Sequence, residues 1–164
     1  MKTLLILRHA KTQPDAPTGD HARELTERGL RNAAAMGAYI QALTGTPDAI
    51  ITSDATRAIQ TAEIVASAVG LTNSLTVEPR IYGADLNILL ALVRSILDEV
   101  DTAVIVGHNP GFEELVAALA GDQDEGVRLP TAGLAVLEFD VDRWDRARNG
   151  TGRLREVATP RTIG

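Results

Sequence analysis

The sequence contains no cysteine, which excludes disulfide bonds, thiolate nucleophiles and cysteine-ligated metals. Aromatic residues make up only 3% of the chain, and 22 acidic residues outnumber 16 basic ones, which gives a net charge of −6. An acidic chain with few aromatics is a poor candidate for nucleic-acid binding. No apolar run approaches the roughly 18 residues of a membrane span, and the run at residues 4–7 is too short for a signal-peptide core. We therefore expect a cytoplasmic protein that binds neither nucleic acid nor a membrane.

The chain has 164 residues, close to the ~150 residues expected of one domain. Its apolar fraction of 45% is ordinary for a globular protein and allows a sizeable core. We expect one domain over residues 1–158 and a flexible tail over 159–164.

Apolar runs and stretches of helical periodicity alternate along the chain, which is typical of an α/β domain with a mostly parallel central sheet. Loops are predicted at residues 12–24 and 122–131. Helices are predicted to begin after Thr26, Ser53 and Asn109 as N-caps, with a further helix at 86–97. Strands are predicted at 4–7, 48–52, 75–77, 102–106, 134–139 and 154–157.

Three of the apolar runs end in polar residues of catalytic type. The first is followed by Arg8 and His9. The second is followed by Ser53 and then Arg57, and the third by His108. Parallel strands place these ends at one edge of the sheet, where helix N-termini also point. Guanidinium groups and helix N-termini both favour phosphate, so the pattern predicts a phosphate site with a histidine able to act as nucleophile.

The same segments carry a family resemblance. LILRHAKT (5–12), SDATRAIQTAEIVA (53–66) and VIVGHNPGFEELV (104–116) resemble, in order, the motifs of the histidine phosphatase superfamily. The R-H-A-K, V-G-H-N-P-G and L-P-T-A-G (129–133) stretches are most similar to its SixA-like phosphohistidine phosphatase branch. The resemblance implies a three-layer α/β/α domain with a phosphoglycerate-mutase-like fold.

The resemblance also implies roles for individual residues. His9 would attack phosphorus and carry the phosphoryl group. Arg8 and Arg57 would bind the equatorial oxygens, and His108 would complete that set of ligands. Thr12 would add a further phosphate contact. No metal or other cofactor is implied, because fixed cationic side chains supply the positive charge.

The sequence departs from the family pattern at two places. Ala10 stands where most members have glycine, and the segment 78–85 is much shorter than the insertion that carries a general acid in larger members. Glu78 and Asp85 are the candidates for that acid. A segment so short predicts a shallow, open groove. The leaving nitrogen of a phosphohistidine departs without enzyme acid when its ring is already protonated, whereas an alkyl phosphate needs a proton.

These departures favour hydrolysis of phosphohistidine on a protein partner, with inorganic phosphate as product. Two alternatives stay open: a small-molecule phosphomonoesterase of the same superfamily, and a phosphate-binding module without turnover. A metal site formed by His9, His21 and His108 is disfavoured by the neighbouring arginines. We interpret His21 as a surface residue, and Glu113 with Glu114 as a solvated helix start that complements the helix dipole.

Overall fold

The computed structural model describes residues 1–123 and 126–164, and in these residues six strands form one sheet. The strands are β1 (Lys2–Arg8), β2 (Ala49–Thr52), β3 (Leu75–Val77), β4 (Thr102–Gly107), β5 (Leu134–Phe139) and β6 (Arg153–Ala158). Their order across the sheet is β3-β2-β4-β1-β5-β6. The first four strands in that order are parallel, and β5 pairs antiparallel with both β1 and β6.

The helices connect the strands and cover both faces of the sheet. They are α1 (Glu27–Thr44), α2 (Thr56–Val69), α3 (Leu86–Arg94), α4 (Gly111–Ala120) and α5 (Pro160–Ile163). Short 3₁₀ turns lie at Asp20–Ala22, Pro79–Ile81, Gly121–Gln123 and Trp144–Arg146. No helix in the part of the chain that the structure describes is long and apolar enough to cross a membrane.

Strand β1 explains the layering, because its apolar residues alternate between two separate cores. Leu4 and Ile6 pack on one face with side chains of α3 and α4. Leu5 and Leu7 pack on the other face with side chains of α1 and α2. All four are fully buried, as a continuous apolar run predicts for a strand covered on both faces. The predicted three-layer α/β/α architecture is confirmed.

Two predicted N-caps are wrong. Helix α2 begins at Thr56, because the backbone N–H of Ser53 still donates to Val106 in strand pairing and the chain needs three more residues to turn. Helix α4 begins at Gly111, and the side chain of Asn109 donates to the carbonyl of Leu129 at 2.9 Å instead of capping. By contrast, Thr26 caps α1 as predicted.

Two predicted segments contain short helical turns. The tail at residues 159–164 contains the single turn of α5, in which Thr159 forms a capping box with Thr162 and Ile163 packs against the core, and its flexibility stays a prediction. In the predicted loop 122–131, a 3₁₀ turn reaches Gln123 and residues 126–131 contain no helix or strand. Residues 124 and 125 lie outside the described residues.

A close backbone approach fixes the chain that follows β1. A Cβ atom on Gly29 would lie 2.1 Å from the carbonyl oxygen of Lys11, so only glycine fits at the start of α1. The same carbonyl accepts a hydrogen bond from the backbone N–H of Thr26. The first turn of α1 is thereby packed directly against the residues that follow His9.

Candidate active site

The carboxyl ends of β1, β2 and β4 meet at one edge of the sheet. Arg8 pairs in register with Gly107, so His9 and His108 follow neighbouring strand ends. Their ring centroids are 5.3 Å apart. Arg57 enters the same space from the first turn of α2 and is buried. The structure therefore brings together the four residues that the sequence predicts for a phosphate site.

His9 is held as a neutral ring with a defined tautomer. Its side chain is buried, and Nδ1 lies 2.8 Å from the carbonyl oxygen of Ala10. This bond requires a proton on Nδ1, so we assign the ring lone pair to Nε2. Burial lowers the pKa of His9 to about 3, and the nearby His108 and arginine charges act in the same direction. The ring is therefore neutral at physiological pH, with Nε2 unprotonated.

The backbone around His9 is fixed by its neighbours. The N–H of His9 donates to Gly107, and its carbonyl accepts from Ala132. The N–H of Ala10 donates to the hydroxyl of Thr61, which itself donates to the carbonyl of Arg57. The methyl group that Ala10 carries in place of a glycine is fully buried in a small apolar cluster, so the departure from the family pattern is accommodated.

The two arginines are held by different partners. Arg8 donates from Nη1 to the carbonyl of Leu129 at 2.9 Å. Arg57 donates from Nη1 to the backbone carbonyl of Asp20 at 2.8 Å and from Nη2 to its carboxylate at 3.2 Å. The Nε atoms of both arginines are buried and have no hydrogen-bond partner. Both guanidinium groups therefore have an unused donor inside the site.

His108 also has an unpartnered ring nitrogen. Its Nε2 lies 2.8 Å from the hydroxyl oxygen of Ser53, which accepts a hydrogen bond from the N–H of Ala55. We assign the hydroxyl hydrogen to the bond with Nε2, which places the ring proton on Nδ1. That Nδ1 is buried without a partner. Burial lowers the pKa of His108 to about 4, and Arg57 adds to the effect, so the ring is neutral near pH 7.

Three predicted site residues use their side chains elsewhere. The hydroxyl of Thr12 accepts from Arg23 within the loop, so its phosphate contact stays a prediction. The carboxylate of Glu78 accepts three hydrogen bonds from Arg80, which lower its pKa. Asp85 caps α3 by accepting from Ile88. The bonds of Glu78 and Asp85 leave neither carboxyl group set up as an obvious proton donor.

Residues that sequence reasoning missed surround the four predicted ones. The hydroxyl of Tyr82 donates to the carboxylate of Asp20 at 2.6 Å, and its ring meets His108 edge-on with centroids 5.5 Å apart. His21, interpreted as a surface residue, pairs with Asp54 at 3.0 Å and contacts the Tyr82 ring, although its side chain is 48% exposed. The segment 78–85 thus reaches the site through Tyr82, and the expectation that it leaves the groove uncovered is only partly met.

The prediction that Glu113 is solvated is wrong. Its carboxylate accepts from the backbone N–H of Leu129 at 2.7 Å, while Glu114 is exposed. Helical spacing carries no signal for this contact, because Leu129 lies in a loop without periodicity. Within the described residues, no group of three or more His, Asp or Glu side chains is arranged to hold a metal ion.

The site opens into a cleft of about 450 Å³. Asp20, Arg57, Tyr82 and His108 line it together with Asp85. One wall therefore belongs to the sheet edge and α2, and the other belongs to the loop that carries Asp20 and the segment that carries Tyr82. Arg57 and His108 line the cleft, and His9 and Arg8 lie beside them at the sheet edge. Two neutral imidazoles and two guanidinium groups so placed form an arrangement suited to phosphoryl transfer.

Comparison with known proteins identifies the class. The model of the histidine phosphatase superfamily (branch 1) matches residues 4–87, and the chain belongs to this superfamily. The uncharacterized protein Rv1276c of Mycobacterium tuberculosis is 31% identical over 163 residues, covering 94% of this chain and 100% of that protein.

Solved structures point to one branch of that class. A protein of Agrobacterium tumefaciens provisionally named phosphohistidine phosphatase SixA is 29% identical, with a TM-score of 0.80 and coverage of 97% of this chain and 98% of that one. A protein of the same provisional name from Nakamurella multipartitia is 26% identical, with a TM-score of 0.84 and coverage of 97% and 96%. The fold is phosphoglycerate-mutase-like, and the family and these neighbours support phosphatase activity.

Proposed function

We propose that this protein is a phosphohistidine phosphatase that removes the phosphoryl group from a histidine of a protein partner. The observation that carries the proposal is the set of buried, unpartnered nitrogens around neutral His9. These are Nε of Arg8, Nε of Arg57 and Nδ1 of His108. Buried polar groups are rarely left without partners, so an anion with several acceptor oxygens is the expected ligand.

The reaction has two transfers. In the first, the Nε2 lone pair of His9 forms a bond to phosphorus, and the bond from phosphorus to the substrate imidazole breaks with its electron pair on the leaving nitrogen. A substrate ring protonated on its other nitrogen leaves as neutral imidazole and needs no enzyme acid. This requirement agrees with the bonds that occupy Glu78 and Asp85.

In the second transfer, water attacks the phosphoryl group on His9. The bond between phosphorus and Nε2 breaks, its electron pair returns to Nε2, and the water proton leaves with the phosphate product or to solvent. The proton on Nδ1, held by the Ala10 carbonyl, makes the phosphorylated ring a cation that leaves as neutral imidazole. Arg8, Arg57 and His108 hold the phosphoryl oxygens during both steps.

The test compares three substrates: a protein phosphorylated on histidine, p-nitrophenyl phosphate and a simple alkyl phosphate. We expect good turnover of the first, modest turnover of the second and almost none of the third. Strong preference for a sugar phosphate or phosphoglycerate would favour the small-molecule alternative. Phosphate binding without hydrolysis of any substrate would favour the binding module.

His9→Ala tests the nucleophile. We expect it to abolish turnover and to remove the acid-labile, alkali-stable label that quenched wild-type enzyme carries after incubation with radiolabelled substrate. Glu114→Ala, an exposed change on α4, serves as the matched control and keeps both. Near-wild-type hydrolysis by the His9 variant would overturn the assignment.

A further inference from the structure

Asp20 lines the cleft and forms hydrogen bonds with several side chains there, although the proposed reaction assigns it no role. It begins the 3₁₀ turn in the loop between β1 and α1. One carboxylate oxygen accepts from Arg23 at 2.9 Å, and the other accepts from Tyr82 at 2.6 Å and Arg57 at 3.2 Å. Its backbone carbonyl accepts from Arg57 at 2.8 Å. A single residue thus binds three side chains that come from three different parts of the chain.

The consequence for Arg57 follows from the shape of its guanidinium group. The group is planar and has five N–H donors in a fixed arrangement. Asp20 engages both terminal nitrogens, so the plane is held at its far end. The Nε atom is buried without a partner. Asp20 therefore fixes the orientation in which the remaining donors of Arg57 are available to an anion.

Tyr82, which comes from the segment 78–85, also binds Asp20. Its ring lies 5.9 Å from the guanidinium carbon of Arg57 and contacts the ring of His108 edge-on. The bond between Tyr82 and Asp20 joins the segment 78–85 to the loop before α1. The Arg57 guanidinium group thus has a carboxylate bound to its end and lies over the face of an aromatic ring.

We propose that Asp20 is a positioning residue for phosphoryl transfer, which orients the Arg57 guanidinium toward the phosphoryl group and is itself held in place by Tyr82. The inference rests on the proposed phosphatase function of the same site. It does not depend on which phosphorylated substrate is the physiological one.

The charge of Asp20 distinguishes a positioning role from two other roles, that of a general acid and that of a purely electrostatic group. The hydrogen bond from Tyr82, followed by the charge of Arg57, lowers the pKa of Asp20 to about 2, so the group has no proton to donate at neutral pH. A carboxylate near a phosphate also repels it. If Asp20 acted only through its charge, neutralising it would tighten phosphate binding, whereas a positioning role predicts weaker binding.

The experiment measures hydrolysis of p-nitrophenyl phosphate and inhibition by inorganic phosphate for Asp20→Asn, Asp20→Glu and Tyr82→Phe. We expect Asp20→Asn to lower kcat/KM by about 10- to 100-fold and to raise the inhibition constant for phosphate. Tyr82→Phe is expected to act in the same direction by about 3- to 10-fold, because it removes one hydrogen bond to Asp20. Asp20→Glu, which restores the carboxylate, should recover part of the loss.

Asp15→Asn is the matched control, because Asp15 is an exposed carboxylate in the same loop that makes none of these bonds. It should behave as wild type. Tighter phosphate binding, or unchanged kcat/KM, in both Asp20→Asn and Tyr82→Phe would overturn the proposal. Should Asp20→Asn fail to fold, as judged by circular dichroism, the Tyr82 variant decides alone.

Failure of the positioning role can be distinguished from failure of the proposed phosphohistidine phosphatase function. An enzyme that hydrolyses p-nitrophenyl phosphate but not phosphohistidine contradicts the proposed substrate and leaves the comparison of variants intact. In a protein without any turnover, titration calorimetry with inorganic phosphate gives the same comparison. Unchanged or tighter binding in the Asp20 and Tyr82 variants would then refute the positioning role.

Discussion

The loops that hold Arg8 and Arg57 differ in the hydrogen-bond acceptor that each provides. The loop at residues 126–133 holds Arg8 with a peptide carbonyl, that of Leu129, and Leu129 itself is buried. The loop between β1 and α1 holds Arg57 with Asp20, whose side chain is 50% exposed and carries a full negative charge. One arginine is thus fixed by an uncharged group in the core, and the other by an ion pair at the rim.

This difference in partners gives the two arginines different parts in phosphate binding, one based on charge and the other on orientation. The Leu129 carbonyl adds no counter-charge, so the charge of Arg8 is offset through space by the Glu113 carboxylate, whereas the Asp20 carboxylate bonds Arg57 directly and offsets part of its charge. Because the Asp20 side chain is half exposed, solvent screens its charge and the offset is partial. We infer that Arg8 contributes mainly electrostatic attraction, and that Arg57 contributes mainly directed hydrogen bonds.

In the comparison of the two loops, the largest expected effect comes from removing each arginine. Arg8→Ala and Arg57→Ala should each lower kcat/KM for p-nitrophenyl phosphate by about 10²–10³-fold, as the loss of one oxyanion donor does elsewhere. Inhibition by phosphate should weaken more for Arg8→Ala, and this excess should shrink as salt rises. Arg31→Ala, on the exposed face of α1, is the control. Equal losses with equal salt dependence would refute the distinction between the two loops.

Acid should destabilise the protein through its two buried histidines. In the unfolded chain each binds a proton below about pH 6.5, whereas in the folded protein the pKa values of His9 and His108 are about 3 and about 4. Stability is therefore lost as pH falls below 6.5, by ~3 kcal/mol for the pair between pH 6.5 and 5. Urea unfolding at both pH values measures the loss.

The same urea experiment tests whether the loops that hold the two arginines contribute to the acid sensitivity. The Leu129 carbonyl does not titrate, and Asp20, with a pKa of about 2, stays ionised above pH 4. Neither arginine contact should therefore contribute to the loss between pH 6.5 and 5. His9→Asn should roughly halve it. An undiminished loss in this variant would place the acid sensitivity elsewhere in the molecule.

A smaller loss of activity is expected when the residue that holds the loop at 126–133, Glu113, is replaced. Glu113→Ala removes the acceptor for the Leu129 N–H and, through Leu129, loosens the partner of Arg8. We expect kcat/KM to fall by about 10-fold, equivalent to one hydrogen bond of ~1–1.5 kcal/mol. Glu113→Gln, which keeps an acceptor oxygen, should recover most of the activity, and Glu114→Ala should have none of the effect. A loss shared by all three variants would argue for a general change in α4.

The smallest effects on turnover are expected at Glu78 and Asp85. Alanine at either position should change phosphohistidine turnover by less than about 10-fold, below the range of a general acid. Asp85→Ala should also lower the free energy of unfolding by about 1 kcal/mol, because it removes the N-cap of α3. A ~10³-fold loss of turnover at either position would show that an acid operates after all.

The sequence predicts the scaffold well because the signals there are local. The continuous apolar run of β1 indicates a strand buried on both faces, and Thr26 indicates the start of α1. The parallel connections then bring Arg8, His9 and His108 together without further information. Local signals failed where strand pairing continued past the expected cap, as at Ser53.

The partners of the predicted residues are less accessible to sequence reasoning. Asp20, Tyr82 and Glu113 lie in segments whose placement depends on tertiary packing, and the spacing of charges gives no hint of which arginine each will meet. Asp20 contacts Arg57 across 37 positions of the chain and Tyr82 across 62. The length of the eight-residue segment predicts that it does not cover the site, but its Tyr82 side chain extends to the cleft.

The place of Tyr82 beside an edge strand has a consequence for how this protein diverges. The segment 78–85 follows β3, the outermost strand, and leads into α3, so a longer loop inserted there would displace no strand of the sheet. His9, by contrast, follows β1, which is flanked by β4 and β5. Insertions and deletions in the segment 78–85 can remodel the entrance while His9 keeps its surroundings. Natural variation in substrate should therefore accumulate at this edge, and the chemistry should be inherited with the central strands.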